Sequence, residues 1–422
     1  MRRAMRRHDV LVASSGTHPE PHHLATGLRA RGVQVQFLSS AMFPRDALMG
    51  ALSQKKVLPQ RLRQELARRL LPVGSHTRQN TRSLAALEEV LAWVASRAHP
   101  ATGRRAVSWR TARFRAGLAQ RVRDSTGTLS AVVGQYTSCA DAFAVRGDFR
   151  RILMYPIAHH DWMRDFLAEE AAANPRWAPY LQGHDIQGFE RDLLEAEIEL
   201  ADLILLPSTF AASTFTARGV DPAKLVVSPL GSEDWSPPED QPGDDRAFVV
   251  LFAGQVNQRK GIGYLVEALA AVQDPRVQLV VVGKSSDAMR AEITRAFGRT
   301  RFISSMPREN LMRQMAQADI LVLPSLAEGF GLVALESMAV GTPAIVSTHT
   351  FASDLIRHEV NGWVVPAANR SAITSLVEAL AADPDRVRRV GGGAAQVARA
   401  RTWFQYGLST ADLLLPHIER PR

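Results

Sequence analysis

The stretch ILVLPSLAEGFGLVALESMAVGTP at residues 320–343 decides the fold class. Ile320 to Leu323 is a short aliphatic run bounded by turn residues, which reads as a strand buried on both faces. The chain leaves it through Ser325, turns at Gly329-Phe330-Gly331, and enters a helix that runs to about Val340, where Gly341 and Pro343 stop it. Glycines at a helix mouth let the backbone come close to a ligand. The N–H groups of Gly331, Leu332 and Val333 would point out of the helix N-terminus, where the macrodipole favours a phosphate. Glu328 before the helix and Glu336 in its second turn flank this anion site. Like charges repel, so these carboxylates suit the hydroxyls of a sugar or ribose rather than the phosphate itself.

Outward from this unit, short β-branched runs alternate with longer amphipathic stretches from end to end, the pattern of βα units and parallel sheets. Strands are expected at 9–13, 33–38, 129–133, 151–155, 203–206 and 225–228. After a break, they recur at 248–252, 277–282, 301–303, 320–323, 344–347 and 363–365. The break, SPPEDQPGDDR at 236–246, packs three prolines, a glycine and four acids into eleven residues and reads as a linker. Two doubly wound α/β domains of Rossmann type follow, 1–236 and 247–399, and 400–422 suits a helix closing back across their interface. Ligands of such folds sit at the carboxyl ends of the strands, so the cleft between the domains is the expected active site. Between 41 and 127 strand signals give way to basic helix-like sequence, expected as a helical insertion.

A chain of 422 residues with 46% apolar and 22% charged residues is neither disordered nor fibrous. Its longest apolar runs, 247–253 and 90–95, fall far short of the roughly 18 residues of a membrane span. The apolar stretch near the start, 10–13, is too short for a signal peptide, and a cytoplasmic protein is expected. The single cysteine, Cys139, excludes an internal disulfide and any multi-cysteine metal site. Charge is uneven: residues 1–150 carry 25 Lys+Arg against 9 Asp+Glu, a net of +16, whereas 151–250 have a net of −11. A basic first third suits an anionic partner. Within 55–71 the cations Lys55, Lys56, Arg61, Arg63, Arg68 and Arg69 face one acid, Glu65, and alternate with leucines, as in a helix lying on an anionic membrane surface.

A second chemical segment, FAGQVNQRKGIGYLVEAL at 252–269, leaves the first strand of the second domain at Gly254 and places Arg259 and Lys260 just before a helix. Two cations opposite a helix N-terminus make a clamp for a diphosphate leaving group. In the first domain, Gly16 sits in the turn after the first strand. His159 and His160 follow the strand at 151–155, and the spacing leaves open which of them faces the cleft. His18, His22 and His23 beside Glu20 are explained by the Gly16 loop and its helix rather than by a metal. Asp383-Pro384-Asp385 reads as a turn, and the glycines at 261 and 263 lack the third member of a dinucleotide fingerprint.

In this order and spacing, the motifs resemble retaining group 1 glycosyltransferases. E-G-F-G-L-V-A-L-E at 328–336 is similar to their E-x7-E motif. R-K-G at 259–261, V-V-G at 281–283, A-D-I-L-V-L-P-S at 318–325, G-T-P at 341–343, N-G-W-V-V-P at 361–366 and A-D-L-I-L-L-P-S at 201–208 extend the likeness over nearly the whole chain. The resemblance implies a GT-B fold and transfer of a sugar from a nucleoside-diphosphate sugar to an acceptor hydroxyl, with retention. No cofactor, metal or nucleic acid is implied. Carried over, Arg259 and Lys260 hold the donor diphosphate, Glu336 the ribose and Glu328 the transferred sugar. Gly16, Gly254, Gly283, Gly329, Phe330, Gly331, Leu332 and Val333 line the donor site, and a histidine of the pair His159 and His160 lies near the sugar. Gln255 departs from the arginine common at its position, and Leu230 from an asparagine. A sugar-nucleotide epimerase or an inactive scaffold of the same fold are the alternatives, opposed by the E-x7-E segment and by the presence of Lys260 and Glu328.

Overall fold

A computed structural model describes residues 9–40, 69–70, 81–84, 88–89, 91–92, 95, 100–182, 188–235, 247–304 and 306–419. The expected linker at 236–246 and most of the basic stretch at 55–71 lie outside the described residues.

The first sheet contains β1 (Asp9–Ser14), β2 (Gln34–Ser39), β3 (Thr81–Ser83), β4 (Leu129–Gln135), β5 (Arg150–Met154), β6 (Leu203–Leu206) and β7 (Leu225–Val227), in the order β3-β2-β1-β4-β5-β6-β7. The second contains β8 (Phe248–Ala253), β9 (Val277–Val282), β10 (Thr300–Ile303), β11 (Ile320–Leu323), β12 (Ala344–Ser347) and β13 (Trp363–Val365), in the order β10-β9-β8-β11-β12-β13. All the strand pairs are parallel. Central strands such as β6 (LILL) and β11 (ILVL) are buried throughout, because helices cover both faces of a parallel sheet. In both sheets the strand order reverses between two neighbouring parallel strands, β1 and β4 in the first and β8 and β11 in the second. These are the topological switch points at which such sheets bind ligands.

β3 corrects the expectation that 41–127 is wholly helical. Its sequence, Thr-Arg-Ser, carries no apolar signal, and it forms an edge strand because β2 supplies the ladder, Phe37 opposite Thr81. A helix of 24 residues, α2 (Pro100–Arg123), follows α1 (Glu20–Ala30) in the described part.

The hydrophobic cores do not divide at the linker. After β5 the chain forms α3 (His160–Ala173) and a short turn, and Met163, Leu167, Trp177 and Leu181 from this segment are buried among Phe248, Val250, Ile262 and Tyr264 of the second sheet's core. Trp177 fills a notch over Gly263, where an added Cβ would stand 2.6 Å from the indole. Its Nε1–H donates to Glu267 (2.8 Å). In the other direction the last helix of the described residues, Trp403–Ile418, crosses back to the first sheet. Ala411, Leu414 and Ile418 are buried with Val10, Val12 and Leu24. Gly27 and Gly407 let its backbone touch α1: a Cβ on Gly27 would lie 1.8 Å from the Gly407 carbonyl.

Candidate active site

The second switch point is built from the loops that leave β8 and β11. At the end of β8, Gly254 adopts φ +132, a conformation that L side chains rarely adopt, and Gly283 after β9 packs on it so closely that a Cβ would lie 1.8 Å from the Gly254 carbonyl. The chain then makes a 3-10 turn, Gln258–Lys260, capped by Asn257, whose Oδ1 accepts from the Lys260 N–H (3.1 Å). The turn feeds α5 (Ile262–Ala271). It is pressed against the β11 loop: the Leu326 N–H donates to the Arg259 carbonyl (2.8 Å), and Arg259 Nη1 donates to the Ala327 carbonyl (2.7 Å).

Lys260 and Glu328 form an ion pair in this contact, and Ser325 Oγ reaches the same carboxylate (3.4 Å). Burial alone would push the Glu328 carboxyl up, but Lys260 and Arg259 outweigh it and hold the group below its ordinary range. Glu328 is thus the anionic partner of the cation pair that the sequence set beside it. Gly331, at φ +101, caps α6 (Leu332–Ala339). The Ala334 N–H donates to the Gly331 carbonyl (2.8 Å), and the N–H groups before it lie ahead of the helix's own acceptors. The anion-binding turn expected at this helix mouth therefore has the backbone for it.

Two donor-site expectations change in detail. The Phe330 ring is buried in the core and stacks on Phe351, with centroids 4.6 Å apart, so only its backbone faces the loop. Leu332 and Val333 likewise pack their side chains on the core. Glu336 is buried and bonded by Arg308 Nη2 (2.9 Å), a partner with no sequence motif of its own. Burial pushes its carboxyl up, Arg308 pulls it down, and Glu233, 3.4 Å from Arg308, pushes it up again.

The first switch point faces this one with different chemistry. Ser14 Oγ donates to Gln135 Oε1 (2.8 Å), tying the β1 and β4 loops together beside Gly16, which has ordinary backbone angles and sits with His18 3.1 Å from where its Cβ would be. The loop after β4 turns at Thr137 (φ +65) into a short helix, Ala140–Phe143. There the buried Glu197 of α4 (Gly188–Leu200) accepts from the N–H groups of Thr137 (2.6 Å), Cys139 (2.7 Å) and Ala140 (3.2 Å). Arg259 and Glu20 both act electrostatically on Tyr136, which places this loop across the cleft from the clamp.

The β5 loop touches the donor loop directly. A Cβ on Gly329 would lie 1.7 Å from the Pro156 carbonyl, and Ser208 Oγ donates to the Gly329 carbonyl (2.5 Å). Nearby, Thr209 bonds Asp354 through its N–H (3.1 Å) and hydroxyl. Both histidines that follow β5 are buried. His159 caps α3, its Nδ1 accepting from the Asp161 N–H (3.2 Å). His160 bridges Tyr155 Oη (3.3 Å) and Glu195 Oε1 (2.9 Å). Burial lowers both, His159 to about 3, so both rings are neutral at ordinary pH.

Among the described residues, His159, His160 and Glu195 form the one group spaced to hold a metal ion. Arg191 lies 3.6 Å from Glu195 and binds Asp161 beside it, so positive charge already answers these acids. Asp383, read as part of a turn, caps the helix Pro384–Arg399. Sequence reading missed Arg308, Ser208, Asp354 and Glu197, none of which lies in a glycine-rich stretch.

Residues 235–397 match the family model described as glycosyl transferases group 1. The match places residues 235–397 in the group 1 glycosyltransferases. The chain is 30% identical over 233 residues to a D-inositol 3-phosphate glycosyltransferase of Kribbella flavida, covering 50% of this chain and 55% of that one. It is 27% identical over 271 residues to an MMP alpha-(1->4)-mannosyltransferase of Mycolicibacterium hassiacum, covering 62% and 65%. The chain aligns over about half the length, or less, of the first curated relatives it matches. In fold, the chain is similar to a sucrose-phosphate synthase from Thermosynechococcus elongatus, with a TM-score of 0.66, 21% identity and coverage of 97% and 99%. It is also similar to Anabaena HepE solved with UDP and glucose, with a TM-score of 0.59, 16% identity and coverage of 97% and 100%. The two facing doubly wound domains are the GT-B fold. No helix among the described residues is long and apolar enough to cross a membrane.

Proposed function

We propose that this protein transfers a sugar from a nucleoside-diphosphate sugar to an acceptor hydroxyl, with retention and without a metal or other cofactor. The observation that carries the reading is the Lys260–Glu328 ion pair, with Arg259 beside it, under the N-terminus of α6. A donor diphosphate takes Arg259, Lys260 and the Gly331, Leu332 and Val333 amides, and Glu336 holds the ribose. With Lys260 turned to phosphate, Glu328 accepts from hydroxyls of the transferred sugar. The work done on the reaction is electrostatic: fixed positive charge stabilises the diphosphate as it leaves an oxocarbenium-like sugar. The solved relative that carries UDP and glucose supports a nucleotide-sugar donor.

Thermal unfolding with a panel of UDP-, GDP- and ADP-sugars tests this. A donor at a hundred times its Kd adds about 2.7 kcal/mol to apparent stability. If no donor raises Tm and none is turned over with any hydroxyl acceptor, the reading fails.

The first domain, in the same proposal, meets an anionic membrane surface from the cytoplasmic side. Supporting this, α2 contains no acidic residue and exposes Trp109 and Arg105 on the face that also carries Arg113 and Arg123. Binding to anionic liposomes at low salt that weakens as salt rises is the expected result; no binding at low salt removes the membrane from the proposal.

A further inference from the structure

The clamp turn Gln258–Lys260 belongs to the second sheet, yet the side chains that pin it come from before the linker. Gln258 is almost fully buried, and its amide is engaged at both ends. Nε2–H donates to Glu170 Oε1 (2.8 Å), and Oε1 accepts from the Gly263 N–H (3.0 Å). Glu170, buried on α3, also accepts from Tyr264 Oη–H on its other oxygen (2.7 Å) and from Asn174 Nδ2–H (3.1 Å). Three donors converge on one side chain, an arrangement that suits a carboxylate, which only accepts. Burial, then the Glu170 carboxylate, pushes the Tyr264 phenol up and keeps it a donor. The preceding residue is held in the same way, Asn257 Nδ2–H donating to Gln182 Oε1 (2.9 Å).

We propose that Glu170 is a positioning residue for the diphosphate clamp: through the Gln258 amide it sets the backbone from which Arg259 and Lys260 project. The inference rests on the reading of those two cations as phosphate ligands. Glu170 does not itself reach the phosphates; its bonds go to Gln258, Tyr264 and Asn174. Its effect is therefore confined to how well the cations are placed. Because α3 begins at His160, ten residues and about 15 Å earlier, one rigid helix sets both the histidine loop and the clamp. The phosphate site is in this sense assembled by both halves of the chain.

The test separates placement of the clamp from general integrity by comparing a ligand that reaches the clamp with one that does not. UDP, GDP and ADP are titrated calorimetrically against the wild-type protein, and the tightest is carried forward with its own monophosphate. Glu170→Gln keeps the volume but turns an N–H₂ group toward donors. It should weaken the diphosphate about tenfold, the scale of a small misplacement of a binding group, and leave the monophosphate within about twofold. Gln258→Leu cuts the same link from the other side and should give the same selective loss, which keeps the test open if Glu170→Gln does not fold. Equal losses for both ligands, or no loss for either, overturn the proposal. If the wild-type protein binds no diphosphate, the clamp reading falls first and this inference with it.

Discussion

The two switch points use one backbone plan to opposite ends. In each, loops from two adjacent central strands meet, and a helix begins beside them. After β11 the first amides of α6 lie ahead of the helix's own acceptors, and two cations stand opposite. After β4 the corresponding amides at Thr137, Cys139 and Ala140 are already filled by Glu197, and the facing β1 loop offers Ser14 and Gln135 rather than cations. Burial pushes the Glu197 carboxyl up to about 7, yet its oxygens still fill those amides, so a helix N-terminus is open to an outside anion only where the protein has not supplied the acceptor itself. The fold presents the opportunity twice, and the side chains assign the diphosphate to the second domain.

The sharpest way to break this comparison is at the clamp. Lys260→Ala and Glu328→Ala should each lower turnover by about tenfold to a hundredfold, roughly 1.4–2.8 kcal/mol of transition-state stabilisation, and each also lowers stability by leaving the other charge of the pair without its partner. Steady-state kinetics on a defined donor checks this, and near wild-type rates would remove the site assignment.

At the first switch point the same kind of substitution should do the reverse. Glu197→Ala leaves three amides without their acceptor and should lower stability by about 1–3 kcal/mol, read as a lower urea midpoint. Diphosphate affinity should stay at the wild-type level, since the group lies on the internal side of the comparison. A loss of affinity without a loss of stability would show that Glu197 is not an internal acceptor for these amides.

A subtler contrast concerns acid. His159 has a folded-state pKa of about 3 against 6.5 when unfolded, so the unfolded chain takes up the proton first. Its contribution to stability is whole above about 6.5 and is lost as pH falls towards 3. His23, held at about 4 by burial, has the same sign. His159→Asn retains an acceptor for the Asp161 N–H and should flatten, without abolishing, the loss of stability between pH 6.5 and 4. An unchanged slope in denaturation curves over that range would mean that His159 titrates normally.

The smallest expected effect is that of a chelator. With phosphate charge met by Arg259, Lys260 and helix amides, EDTA should leave turnover unchanged. Loss of activity restored by a divalent cation would move part of the charge balance from protein to metal.

The same contrast explains what was legible beforehand. The second domain writes its chemistry into the backbone: Gly254, Gly283 and Gly331 stand where a side chain would clash or where φ is positive, and such glycines show in a sequence. Its central strands β11 and β12 show in the sequence because their apolar runs are buried on both faces. The first domain uses side chains reached through tertiary contact. Glu197 caps a helix 57 residues earlier in the chain, and His159 and His160 turn inward against Phe215 and Tyr155. No local spacing encodes those directions. β3 escaped for the related reason that its partner strand, not its own residues, makes it a strand.

Synthesis runs from the N-terminus, so residues 160–181 emerge from the ribosome well before the strands around Trp177 exist. The last helix stands in the opposite relation: α1 stays uncovered until the chain has been made as far as Ile418. Neither half of the polypeptide carries the whole of its own interior. A fragment starting at 247 lacks the indole that fills the notch over Gly263, and one ending at 235 lacks the Ala411, Leu414 and Ile418 that complete the core around Leu24 and Leu28. Both interiors close together only once the helix Trp403–Ile418 has been made, and proteolysis at the linker would leave two pieces still held by what they exchanged.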